Sequence, residues 1–189
     1  MYYQLCHCCL QLIGSGFVVK IMHRKKRAMG NDEEKLFLNI VHSEQVAKPN
    51  ASNSNNGGST WSIPYSLGPL RMERDKSGTN LVATFDCCFH PLSLRHAHAM
   101  KEFLDLAINI ATDAAENYFA KFGDEVEFTK GYTILRGVTY KSGTPKAMLV
   151  SQGDENKKVT RDVPNQEVPR VVPRIAAEIL TPWCPSIKS

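Results

Sequence analysis

Apolar and polar positions alternate through residues 35–41, with Leu36, Leu38 and Ile40 on one side and Lys35, Phe37 and Asn39 on the other. A two-residue period of this kind predicts a β-strand with one buried face. A second apolar run, residues 16–20, ends in Lys20. Pairing the two runs as a long-looped hairpin sets the end of the first beside the start of the second. Lys20 then lies close to Lys35, because neighbouring strands are about 5 Å apart. Residues 81–89 are rich in types that suit a buried strand. Residues 61–67 read as extended, and Pro64, which lacks a donor, confines them to an edge strand or an ordered arm.

After Pro91 the period changes. Met100, Leu104, Ala107, Ala111, Ala114 and Tyr118 recur at three- and four-residue steps, and Phe103 and Ile110 widen the stripe. This pattern predicts an amphipathic helix lying across the sheet and ending near Gly123 in the C′ position. Two more strands are expected at 132–135 and 147–151, joined by a turn through Lys141, Gly143 and Pro145. The fold expected is α/β of the α+β kind: a small mixed β-sheet with a long amphipathic helix packed on one face. Residues 1–15 form a poorly ordered leader and residues 16–152 the domain, with mobile loops at 21–34 and 43–60. Residues 153–189, punctuated by proline, form a mostly disordered tail.

Composition narrows the function. The 189 residues are 42% hydrophobic and 22% charged, with a net charge of +4, ordinary values for a globular domain. The excess of positive charge suits an acidic partner but lacks the clustered basic stripes and interleaved aromatics of a nucleic-acid binder. No run of about 18 apolar residues is present, so no membrane span is expected. Six cysteines sit at 6, 8, 9, 87, 88 and 184, a placement that reads as free thiols in a reducing cytosol. Cys6, His7, Cys8 and Cys9 lack the second knuckle of a zinc site. Asp86, Cys87, Cys88 and His90 fit a buried strand and its exit, and His96 and His98 are not an i, i+4 metal pair. Neither a catalytic set nor a metal or cofactor site is expected. What remains is the lysine pair, read as a site for an acidic or phosphorylated peptide, since phosphoserine offers several acceptor oxygens to ammonium donors. Asp32, Glu33 and Glu34, which run into Lys35, are expected to mimic such a ligand and partly occupy the patch.

The order of three stretches resembles the N-terminal domain of the PIH family: Gly16-Phe17-Val18-Val19-Lys20, then Lys35-Leu36-Phe37-Leu38-Asn39-Ile40, then Ile63-Pro64-Tyr65-Ser66-Leu67. Phe85-Asp86-Cys87-Cys88-Phe89-His90-Pro91 and Lys146-Ala147-Met148-Leu149-Val150 resemble its Kintoun branch, the cytoplasmic dynein-arm assembly factors. The resemblance runs from Gly16 to Val150. It implies a non-catalytic, cytoplasmic adaptor that binds acidic or phosphoserine-containing segments and works with heat-shock chaperones and dynein chains. The family's two main phosphate-contacting lysines match Lys20 and Lys35, and a further lysine matches Lys76. An arginine after the helix has Arg136 or Lys141 in its place. The alternative is a structural interaction domain without phosphate specificity, its partners held by the tail or the helix surface. Relative to the family, loop 21–34 is long, residues 1–13 match nothing, and the usual C-terminal β-sandwich is missing, so the chain reads as a fragment.

Overall fold

The computed structural model describes residues 10–11, 13–26, 33–53, 59–129, 131–150 and 160–163. In chain order the strands before the helices are β1 (Leu10–Gln11), β2 (Gly14–Lys25), β3 (Glu34–His42), β4 (Asn50–Asn53), β5 (Ser59–Ser62), β6 (Tyr65–Leu67), β7 (Arg71–Arg74) and β8 (Leu81–Phe89). The helices α1 (Pro91–Ala99) and α2 (Lys101–Lys121) follow, then β9 (Val126–Phe128), β10 (Thr133–Ile134), β11 (Met148–Leu149) and β12 (Thr160–Val163). A seven-stranded sheet has the order β10-β2-β3-β8-β6, with β7 also on β8 and β9 also on β2. Only β3 and β8 run parallel within it, which makes the sheet mixed, as expected.

The alternation in the central strands decides what each face meets. Val19, Ile21, Leu36, Leu38, Ile40, Phe85 and Cys87 point to the helix side. There Phe103, Leu106, Ala107, Ile110, Ala111 and Phe119 of α2 close over them. At about 25 cal/mol per Å² of apolar surface removed from water, this layer is the main source of stability. Rings lock it laterally: Phe85 meets Tyr118 edge-on at 5.0 Å and Trp61 meets Phe103 at 5.1 Å. The antiparallel register of β2 on β3 shifts between Ser15 and Phe17. The residue between them is Gly16, where a Cβ would lie 2.5 Å from the Ile40 carbonyl oxygen, so the bulge tolerates no side chain.

Several expectations need adjusting. The helical segment is two helices, not one: Met100 is extended (φ −133°, ψ 120°), and neither proline nor glycine marks the break. Its predicted end holds, with Gly123 at φ +82° just after the Phe122 cap. Strand β2 runs to Lys25, five residues past Lys20, because Ile21 and His23 continue the inward alternation and β9 pairs along its far end. Residues 50–53 and 59–60 of the expected loop 43–60 are strand, since β4 and β5 pair with each other. Residues 61–67 divide at Pro64 into β5, in a three-stranded sheet with β4 and β12, and β6, the predicted edge strand. In the expected tail, residues 160–163 form β12. The remaining expectations for residues 1–9, 27–32 and 164–189 lie outside the described residues.

Four histidines belong to this packing. His90 caps α1: its Nδ1 accepts from the Leu92 N–H at 3.0 Å, Pro91 takes the first helical position, and Nε2 faces Glu44 at 3.1 Å. That geometry needs a neutral ring. His23 stacks on Phe119, and His96 lies against Trp61 and Phe103. Burial, the leading cause at each, lowers the pKa of His23, His42, His90 and His96 below 6.5. The unfolded chain therefore takes up these protons first as pH falls. Stability should be full above about pH 6.5 and decline below it, toward the lowered folded values. Thermal melts across pH 5 to 8 in constant ionic strength check this; a midpoint that stays level or rises on acidification would contradict it.

Candidate functional site

Among the described residues, the second face of the sheet carries no helix. The alternation that sends Leu36 and Leu38 toward α2 sends Lys35, Phe37 and Asn39 the other way, and Val18, Lys20, Thr84 and Asp86 share that side by register. The sequence pattern marked only one face of β3 as buried. In fact Phe37 and Asn39 are buried as well, because the segment after β10 lies over them: Leu135 and Val138 pack on Val18, Phe37 and Val82.

A polar network holds this cover in place. The Asp86 carboxylate, 1% exposed, accepts from four donors. Asn39 Nδ2 and Arg71 Nη2 reach Oδ1 at 2.7 and 2.8 Å, while Arg71 Nη1 and the Tyr140 hydroxyl reach Oδ2. The other atoms of those donors are used too. Arg71 Nη2 also donates to the Tyr140 oxygen at 3.0 Å and Nε to Glu73 at 3.2 Å, and Asn39 Oδ1 accepts from the Lys141 backbone N–H at 2.9 Å. A carboxylate so surrounded holds its guanidinium partner charged, raising Arg71 above its already high pKa. Tyr140, desolvated and hydrogen-bonded to Asp86, is pushed up to about 12 and stays a phenol.

The cations stand at the end of this covered face. Lys20 is opposite Phe37 and Lys35 is opposite Met22, so the two lysines share a face but are offset by one pair step rather than directly opposed. Such diagonal neighbours lie about 7–8 Å apart, within reach of long side chains. Lys35 is exposed and Lys20 half-buried. Lys141 completes the group: its ammonium sits 5.1 Å from the centre of the Phe37 ring and donates to the Arg74 carbonyl at 3.0 Å. Lys76 is exposed in the turn that leads into β8. Because β8 runs parallel to β3, that turn and Lys35 lie at the same end of the sheet. Arg136 is exposed just after β10 and makes no hydrogen bond or ion pair among the described residues. Of the two residues that sequence offered for this position, Lys141 is the one seated on Phe37.

Glu34 does not cover the patch. It pairs in register with His23, and its carboxylate lies 3.7 Å from His23 Nε2, on the helix side opposite Lys35. The expected mimicry of a ligand therefore fails at Glu34, because strand alternation turns it away. Glu33 is exposed two residues before Lys35, with no side-chain hydrogen bond or ion pair among the described residues, and Asp32 lies outside the described residues. The Asp86–His90 stretch is similarly dispersed. Cys87 packs among the helix-side residues, Cys88 under the opposite cover, and His90 caps α1. Burial pushes Cys88 up to about 12 and Cys87 well above its usual value, so both remain thiols.

Comparison with known proteins agrees with this architecture. Residues 9–158 match the family model described as the PIH1 N-terminal domain. Protein kintoun of Rattus norvegicus is 28% identical over 144 residues, covering 71% of this chain and 17% of the relative. Protein kintoun of Drosophila grimshawi is 37% identical over 109 residues, or 55% of this chain and 11% of the relative. The chain thus spans less than a fifth of the length of those two relatives. Among solved structures, the N-terminal domain of yeast PIH1p superposes with a TM-score of 0.58 at 19% identity, covering 78% of this chain and 94% of that one. That likeness concerns the fold.

Removing Asp86 should show what the network contributes. Asp86→Ala leaves the Arg71 charge, 19% exposed, with Glu73 as its remaining ion-pair partner, so the loss should approach but not exceed the ~3–5 kcal/mol that breaking a fully buried pair costs. Tyr140→Phe removes one donor and one acceptor and should cost about 1–3 kcal/mol. Urea denaturation measures both; an Asp86→Ala midpoint equal to that of the parent would show that the network contributes nothing.

Proposed function

Because this chain belongs to the PIH1 N-terminal domain family, we propose that it is a non-catalytic adaptor domain that grips acidic, phosphoserine-bearing protein segments with Lys20 and Lys35. The observation that carries this reading is the register that sets both lysines on one sheet face on either side of Phe37, with Lys141 above the ring. Ammonium groups at this spacing repel one another and are relieved by an anion. A phosphoserine brings a charge of about −1.5 to −2 and three acceptor oxygens, enough to be shared among several lysines. The side chains of Lys20, Lys35 and Lys76 make no hydrogen bond or ion pair among the described residues, so their ammonium donors are open to such a ligand. Lys76 extends the site from the turn, and Arg136, exposed beyond β10, gives it a further cation. The likeness to kintoun proteins supports a place in the cytoplasm, where the domain holds dynein chains for heat-shock chaperones during assembly of dynein arms.

The double replacement Lys20→Ala/Lys35→Ala tests the reading. Neither side chain is in the helix-side core, so the variant should melt close to the parent. Its affinity for an acidic phosphoserine peptide should fall about tenfold or more, and binding by the parent should weaken with added salt. Equal affinity in the double variant would discard the proposal. Partners retained after phosphatase treatment would point instead to an interaction domain without phosphate specificity.

A further inference from the structure

Ser77 is exposed in the turn between β7 and β8. Its hydroxyl donates to Asp75 Oδ1 at 2.6 Å and its backbone N–H to the same oxygen at 3.1 Å, while Gly78 turns the chain at φ +76°. Arg74, which ends β7, closes the turn by donating from Nη1 to the Gly78 carbonyl at 2.7 Å. The Arg74 carbonyl in turn accepts from Lys141 Nζ at 3.0 Å, the ammonium that lies over Phe37. One hydrogen bond therefore links the turn to the lysine patch. In sequence, Arg74-Asp75-Lys76-Ser77 places an arginine three residues ahead of an exposed serine, the spacing that arginine-directed protein kinases read. The kinase spacing is a property of the sequence and the link to Lys141 a property of the fold, and each is observed without the other.

We propose that Ser77 is a phosphorylation site, and that a phosphate placed there closes the lysine patch to acidic partners. The switch rests on the reading of that patch as an anion site. In the transfer, Ser77 Oγ forms a bond to the γ-phosphorus of kinase-bound Mg-ATP. The bond from that phosphorus to the β,γ-bridging oxygen breaks, ADP leaves with the electron pair, and the hydroxyl proton passes to the kinase's carboxylate base. The new dianion faces Asp75, whose carboxyl the Ser77 hydroxyl, above all, holds down at about 2 in the unmodified turn. Phosphorylation removes that donor, and like charge drives the two groups apart. Arg74, whose guanidinium already closes the turn, Lys76, next in the chain, and Lys141, hydrogen-bonded to the Arg74 carbonyl, are the cations nearest the turn. A phosphate tethered by so short a segment acts at an effective concentration on the order of millimolar, and displaces a peptide present at micromolar levels.

The experiment treats the full chain with Mg-ATP and the catalytic domain of cyclic-AMP-dependent protein kinase. Mass spectrometry maps the phosphate, and fluorescence anisotropy follows a labelled phosphoserine peptide flanked by aspartates. Phosphate should appear on Ser77, be absent from Ser77→Ala and accumulate more slowly on Arg74→Gln. Peptide affinity should drop about tenfold or more after phosphorylation, recover with phosphatase, and stay at the parent value in kinase-treated Ser77→Ala. No phosphate on Ser77, or a phosphorylated chain that binds the peptide as the unmodified one does, overturns the switch while leaving the patch intact. An unmodified chain that ignores the peptide removes the reading of the patch, and the switch with it.

Discussion

The Asp86 carboxylate is the constraint on which the second face of the sheet depends. Buried charge is expensive unless every lone pair is matched. Here the match comes from three separate pieces of chain: Asn39 on β3, Arg71 on β7 and Tyr140 in the cover. No one of them can move without stranding the others. Asn39 carries the constraint one step further, because its Oδ1 accepts the Lys141 backbone N–H while its Nδ2 serves Asp86. The network thereby fixes not only the cover but the point at which the Lys141 side chain leaves it. Satisfied networks of this kind specify one arrangement more than they add net stability.

The two faces are closed by different physics. On the helix side, large apolar areas meet and the order of contacts is set by shape, as with Phe85 between Tyr118 and Phe119. The other side has two smaller apolar clusters: Val18, Phe37 and Val82 beneath Leu135 and Val138, and Ile13, Val41, Val46 and Cys88 with Tyr140, Met148 and Val150. A segment with so little regular structure has few ladder hydrogen bonds of its own to offset its ordering entropy, so polar ties add to this apolar contact. Its side chains tie it to the rest: Tyr140 reaches Asp86, and the Tyr132 hydroxyl donates to Asp105 of α2. Among the described residues no helix lies over this second face, and Lys35 stays exposed at its end.

How much of this was legible in the sequence follows from which interactions are local. The period-two pattern of β3, the stripe of Ala107, Ala111 and Ala114, and the stop at Gly123 are set by neighbours within a few residues, and all are read correctly from order alone. The hairpin placed Lys20 and Lys35 on a common face for the same reason. Their one-step offset was not legible, because register depends on a strand length that β9, a hundred residues away, helps to set. The burial of Phe37 and Asn39 was not legible because what covers them is distant in sequence: Leu135 and Val138 over Phe37, Asp86 and Lys141 bonded to Asn39. Asp86 shows this most clearly: beside Cys87, Cys88 and His90 it looked like part of a chemical group. Its real partners lie 15, 47 and 54 positions away. A central strand that holds an aspartate among apolar residues was the available signal, since an unpaired charge there is not tolerated.

The same pairing explains why the lysines remain available. Four acidic side chains near the patch in sequence or in register are already engaged elsewhere, while Glu33, two residues before Lys35, is exposed. Asp86 and Glu73 both accept from Arg71. Asp75 is held by Ser77 and Asn80 of its own turn, and Glu34 faces His23 across the sheet from Lys35. Were Arg71 an apolar residue, Asp86 would draw on the nearest cation, and Lys141 is tied to the network directly, its backbone N–H donating to Asn39 Oδ1. A buried guanidinium that takes up the local negative charge therefore leaves the rim with a net positive field. At distances within a Debye length of about 8 Å, such a field attracts anions from solution. The separation of a neutralised interior from an unneutralised rim is a property of the whole face, with Arg71, which no sequence pattern singled out, at its centre.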